Sequence, residues 1–450
     1  MIETAAIHEV FDLTDPNANV LFEMSLAEAR ERVRSGDVGQ VRRIEGHFAL
    51  VAREAEKVRM ARSLQVPMRY FIVKQSAGPA LLVAHRIDTI KRWLDEHGFG
   101  DQFHPSYTRM VPAHHITEIA LVGCPDPNPV YQRFFSPRRE ALSGDLDKIG
   151  ERYIGALAGE IRKWLRGLPE HEPIGVSFSG GIDSGAVFLT LYREIARLGL
   201  NPARLKAFTL SLGPGGEDLD QARRFLAALD LELFHEPVEV PPTYLDLREA
   251  IRVIEDYKPL DIQSGAMAMA LCRGIRERYP SWQYLVDGDG GDENLKDYPI
   301  EENPELTIRS VLNNSMLYHE GWGIDSIKHS LTYSGGLSRG CTRGFAPTSH
   351  YGFKAFSPFT LPNVVEISEG IPFIELTDWD HERLYELKGE VVSRGIRAHT
   401  GFAMPIFEKR RFQHGALAGD DLHGRLPESP AAYRVLFQSI FDEASAAGLG

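Results

Sequence analysis

The sequence predicts an α/β chain, with a doubly wound parallel sheet in its C-terminal part and a sheet-rich α+β domain before it. Three observations carry this. From about residue 143, short apolar runs alternate with helical patterns, the signature of parallel strands joined by crossover helices. Before about residue 135, brief alternating segments are punctuated by glycine, proline and charge, as in an α+β domain. Between them in importance stands "VSFSGGIDSGAVFLTLY", Val176 to Tyr192, where an apolar run passes through a glycine-rich turn into a helical pattern. Open parallel sheets bind ligands at such strand ends.

Taken in order, "GHFALVA", "VRMAR", "MRYFIV", "ALLVAH" and "HITEIALVG" read as strands of the first domain. "GCPDPNPVYQRFFSPRRE" is rich in proline and turn residues and reads as a linker, so the domains are expected at 1–137 and 138–450. "DLDKIGERYIGALAGEIRKWLRGL" has Ile149, Ile154, Leu157, Ile161 and Leu165 at helical spacing. Then "IGVSFSG" is a strand, "GAVFLTLYREIARLG" a helix, "LKAFTLSL" a strand and "DLDQARRFLAALDL" a helix. "ELFHEPVEV" is a strand, "GAMAMALCRGIRERY" a helix, and "QYLVDGDGGDE" a strand running into a loop. Beyond about residue 300 the pattern is helical and loop-rich.

Composition narrows the function. The 450 residues are 43% hydrophobic and 25% charged, enough for a sizeable core. No apolar run is long enough to span a bilayer, and the acidic start lacks the basic region of a signal peptide. Cys124, Cys272 and Cys341 are scattered, which disfavours a disulfide framework or zinc site and fits a reducing, cytoplasmic setting. A net charge of −13 disfavours a broad nucleic-acid face. Small-molecule substrates, no membrane, no bulk nucleic acid and a possible homodimer are the expected partners.

The turn itself asks for a polyphosphate. Gly180 and Gly181 let backbone approach an anion, and the following helix adds its positive end. Ser179 and Ser184 can donate to phosphate oxygens. Asp183 is out of place against an anion unless it holds a divalent cation that bridges the phosphates, so the turn asks for magnesium and a polyphosphate together. An ordinary strand–helix turn with Asp183 as a helix-start residue is the alternative. The spacing is neither GxxxxGK[ST] nor GxGxxG. A second block, "LVDGDGGDENLKDY", sets Asp287, Asp289, Asp292 and Glu293 among Gly288, Gly290 and Gly291, as a solvated turn or a cation site would.

"SGGIDS" at 179–184 resembles the SGGxDS loop of the PP-loop ATP pyrophosphatase superfamily, also called adenine nucleotide alpha hydrolase-like. The second block resembles "SGEGSDELFGGY" of the asparagine synthetases, with Gly288, Gly290, Asp292, Glu293 and Tyr298 in register. "IEGHFALVAREAEKVRMARSLQVPMRYFIV", "MVPAHHITEI" and "YQRFFSP" follow the order of the family's glutaminase-like sandwich domain. The resemblance is thus to the asparagine synthetase and β-lactam synthetase family. It implies an ATP-dependent, AMP- and pyrophosphate-forming carbon–nitrogen ligase. ATP would be held by Ser179, Gly180, Gly181, Asp183, Ser184, Gly288 and Asp289, with the Leu210 strand against adenine. Asp183 and Asp292 would hold Mg2+, and Glu293 would lie at the reacting groups.

Departures qualify this. The family's glutaminase uses Cys at position 2 as nucleophile; here it is Ile2, so glutamine hydrolysis is not expected and the nitrogen comes from ammonia or an amine. "YGFKAFSPFTLPNVVEI" and "RAHTGFAMP" resemble C-terminal family motifs, but place Lys354 where a Glu or Tyr is usual and His399 where a catalytic Lys is usual. Lys354 or Lys388 is then the expected source of positive charge, unless both are ordinary surface lysines. A non-catalytic ATP-binding relative and a PP-loop tRNA-modifying enzyme are the rival readings.

Overall fold

The computed structural model describes residues 7–121, 129–213, 215–298, 300, 306–316, 319–320, 338–407 and 430–446. The chain divides into two compact units. One takes Met1–Ser136, Glu320–Cys341 and Arg434–Gly450; the other takes Pro137–His319 and Thr342–Tyr433. Among the described residues no helix is long and apolar enough to cross a membrane. Positions 2 and 124, on which the glutaminase reading turns, lie outside the described residues.

The first unit is α+β. Its strands are β1 (Glu9–Asp12), β2 (Val20–Leu21), β3 (Gly46–His47), β4 (Ala49–Glu54), β5 (Lys57–Arg62), β6 (Arg69–Gln75), β7 (Gly78–Ala84), β8 (Arg109–Met110), β9 (His115–Ala120) and β10 (Val130–Arg133). They form four-stranded sheets β1-β7-β6-β8 and β10-β9-β5-β4, with β2 and β3 paired apart. Helices α1 (Leu26–Ser35), α2 (Val38–Arg42) and α3 (Ile87–Glu96) belong to it, as does most of the last described helix, Pro430–Ala446. A capping box of Ser25 and Glu28 starts α1. Phe71, Val73, Leu82 and Ala84 bury one sheet against Ile90, Trp93 and Leu94 of α3. The linker reading needs correction here: Val130–Arg133 pairs antiparallel with β9, so part of that proline-rich stretch is an edge strand.

The second unit holds the parallel sheet. Helix α4 (Leu146–Arg166), capped by the Asp145 carboxylate, is followed by β11 (Ile174–Ser177), α5 (Ile182–Arg197), β12 (Leu205–Leu212), α6 (Glu217–Ala227) and β13 (His235–Val240). Next come α7 (Leu247–Ile254), α8 (Pro259–Arg278), β14 (Tyr284–Val286), α9 (Gly291–Asn294), α10 (Ile308–Asn313), α11 (Ala346–His350) and β15 (Lys354–Phe356). Helices α12 (Pro362–Glu369), α13 (Phe373–Thr377) and α14 (His381–Thr400) follow. The strand order is β13-β12-β11-β14-β15, and every pairing is parallel. The chain builds outward from β11 to β13, then returns to the other side of β11. Right-handed crossovers therefore put α5 and α6 on one face and α8 on the other. The order reverses between β11 and β14, and such a switch point is where open parallel sheets take their ligands.

Candidate active site

Both glycine-rich blocks end strands that flank this switch point. After β11, Ser179 to Ser184 turn into α5, whose first turn has no side-chain cap. The helix start thus presents backbone N–H groups and the positive end of its dipole. Ser179 and Ser184 hold the turn: their hydroxyls lie 3.3 Å apart, the Ser179 N–H donates to Ser184 Oγ at 3.3 Å, and the Gly181 N–H donates to Ser179 Oγ at 3.3 Å. Gln221 of α6 donates to the Ser179 carbonyl at 3.2 Å. Gly180 has φ of +72°, and a Cβ there would meet the Ala222 backbone at 2.9 Å. No other residue suits both demands.

After β14, the second block folds against the first. A Cβ on Gly291 would stand 2.2 Å from Asp183 Oδ1, and one on Gly288 would stand 2.9 Å from the Ser184 nitrogen. The Asp183 carboxylate occupies the space those glycines leave. Lys388, from α14, reaches this junction from the helical layer. Its ammonium lies 2.6 Å from Asp183 Oδ2 and 3.3 Å from Asp297 Oδ2, and it is hydrogen-bonded to Asp292 Oδ1. Burial works against that charge, but Asp183, Asp292 and Asp297 outweigh it and hold the pKa well above the usual lysine value.

Next to the cluster, Asp287 is buried and accepts from Ser357 Oγ at 2.9 Å and from the Asp289 N–H at 3.1 Å. Burial still pushes its carboxyl up to about 7. Asp289 is raised well above the usual carboxylate range by burial and by Asp287, with Arg343 opposing and Glu293 and Asp292 adding to it. Arg343 also donates to Asp261 at 3.3 Å. Glu293 is buried in the first turn of α9. On the far side of the loop, β12 overhangs β11. Their last pair is Ser177 with Phe208, while β12 runs on to Leu212 beside β13. The Leu210 side chain is in the core, and its backbone lies on this overhang. His235 rests 3.1 Å from Thr209 Oγ1, its pKa lowered first by burial, as an interior histidine of a strand.

The structure therefore brings together Ser179, Gly180, Gly181, Asp183, Ser184, Gly288, Asp289, Asp292, Glu293 and Lys388, with Leu210 on the neighbouring overhang. It separates two expected catalytic residues from them. Lys354 is exposed at the amino end of β15, paired with Tyr284, which pairs with Ile174 at the start of β11. In a parallel sheet that is the end opposite the loop, and its ammonium lies 5.2 Å from the Tyr284 ring. His399 sits at the end of α14, with Nε2 2.8 Å from Glu194 Oε1 and 2.9 Å from Arg197 Nη1, near the far end of α5. The expected Mg2+ pair holds a different cation here: the Lys388 ammonium bridges Asp183 and Asp292. As they stand, those carboxylates do not fit a divalent ion. Asp297, Arg343 and Ser357 were not singled out from sequence, and Asp287 stood only as one carboxylate of the dense block.

Residues 166–327 match the family model for asparagine synthase, a span that takes in both glycine-rich blocks. Among solved structures, NMN synthetase from Francisella tularensis aligns with 56% of this chain and 93% of its own, at 13% identity and a TM-score of 0.25. No curated protein matches the chain.

Proposed function

We propose, with the asparagine synthase match at residues 166–327 as premise, that the chain is an ATP-using synthetase that joins a carboxylic acid to an amine or ammonia. The observation that carries this is the uncapped start of α5, with its Ser179–Ser184 turn, at the switch point between β11 and β14. There the loop backbone and the two hydroxyls receive the β- and γ-phosphates, and the overhanging backbone around Leu210 meets the adenine. A substrate carboxylate oxygen attacks the α-phosphorus; the bond to the bridging oxygen breaks, and pyrophosphate leaves. An amine then attacks the acyl carbon of the adenylate, AMP departs, and an amide or lactam results.

The protein's share is orientation and charge. Asp287, held by Ser357 and the Asp289 N–H, fixes the turn of the second block beside the nucleotide. Lys388 supplies the positive charge that the motif position of His399 does not. Magnesium, as companion of the nucleotide, belongs to this proposal. The test is release of pyrophosphate, with labelled AMP formed from α-labelled ATP and magnesium, across a panel of amino acids and small carboxylic acids, for wild type and Asp183→Ala. Acid-dependent pyrophosphate and AMP, lost in the variant, is the expected result. ATP binding with no release for any acid would favour the non-catalytic relative, a reading that the displacement of Lys354 and His399 supports.

A further inference from the structure

The cation between Asp183 and Asp292 is part of the chain. Lys388 Nζ reaches both, its side chain is 3% exposed, and Asp297 closes a third side. The lysine is fixed on a 20-residue helix packed along α4 and α5. An ammonium and a divalent ion compete for the same carboxylate oxygens, and in a buried site their mutual repulsion forbids both at bonding distance.

We infer that Lys388 is the resident cation of the Asp183–Asp292 pair in the nucleotide-free protein, and that it keeps free divalent ions out. This rests on the proposed function, in which that pair faces the nucleotide. Three carboxylates around one ammonium leave surplus negative charge, so the pair is held together but not neutralised. A free metal ion would have to expel a buried ammonium that has nowhere to go. A polyphosphate offers that ammonium new acceptors. Metal and nucleotide therefore enter together, and the metal alone does not.

The probe is Mn2+, followed by its paramagnetic resonance signal with the full chain and no nucleotide. Wild type should leave Mn2+ free. Lys388→Met, with the opposing charge gone, should bind it at least about tenfold tighter. Adding Asp183→Asn to that variant should abolish the gain. Lys388→Gln combined with Asp297→Asn removes one charge of each sign; it serves where Lys388→Met fails to fold, and should gain binding too. Wild type that binds Mn2+ as tightly as the variants, or folded variants that gain nothing, overturns the inference. Pyrophosphate release is read separately. If wild type releases pyrophosphate and the variants gain no Mn2+, only this inference falls. If the variants gain Mn2+ and no acid ever elicits pyrophosphate, the ligase reading falls and the cation exchange stands.

Discussion

Helix α14 carries two buried ion clusters of opposite design. At Lys388 one ammonium faces the carboxylates of Asp183, Asp292 and Asp297. Further on, His399 joins Arg162 and Arg197 around the single carboxylate of Glu194. At the rise of an α-helix the two lie about 16 Å apart. Every partner of Glu194 sits on a helix, α4, α5 or α14, so that cluster clasps three cylinders together. The partners of Lys388 sit where loops meet helix starts: Asp183 in the uncapped first turn of α5, Asp292 in the first turn of α9, and Asp297 just beyond it. One cluster ties helices to one another, and the other ties a helix to the two glycine-rich blocks.

The contrast can be broken in order of expected effect. Asp183→Ala should lower pyrophosphate release by about a hundred- to a thousandfold, since it removes a carboxylate of the proposed phosphate loop and leaves Lys388 without its 2.6 Å partner. Glu194→Ala should cost about 3 kcal/mol of stability, at the low end for a broken buried pair because Arg162 and Arg197 are partly exposed. Urea denaturation would measure this, with pyrophosphate release per folded molecule unchanged.

Acidity separates the clusters by sign. Burial opposes the charge on Glu194, but His399, Arg162 and Arg197 push it down to about 2. Its contribution is fully present above the ordinary value of 4.5 and lost as pH falls toward 2. Asp287 does the reverse. The folded protein holds its proton longer than the unfolded chain, so stability falls as pH rises from 3.8 to about 7. Urea midpoints across that window should slope less for Asp287→Asn than for wild type. The smallest effects belong to the two separated residues. His399→Gln should cost about 1 kcal/mol and Lys354→Met less than about 0.5 kcal/mol, neither changing pyrophosphate release. A large loss of release in either variant would place the chemistry at the wrong end of the sheet.

Strands β11 to β14 were legible because each is a compact apolar run beside a long helical pattern. β15 was not, since three residues starting with a lysine carry no period, and β10 was hidden by its proline-rich flank. The two loops stood out because glycine, hydroxyl and carboxylate density is a local property. Which lysine joins them is not local. Lys388 and His399 share a helix, and only the packing of α14 along α5 decides which one meets Asp183. Asp297 was missed for the same reason, its role depending on a partner 91 positions away in the chain.

The 2.2 Å approach of a Cβ at position 291 to the Asp183 carboxylate bears on descent. The asparagine synthetase block "SGEGSDELFGGY" has serine in this register beside an aspartate-bearing loop, so keeping the carboxylate does not bind a lineage to glycine. What the glycine at 291 records is where the Asp183 side chain rests: here it has turned into the space a Cβ would fill.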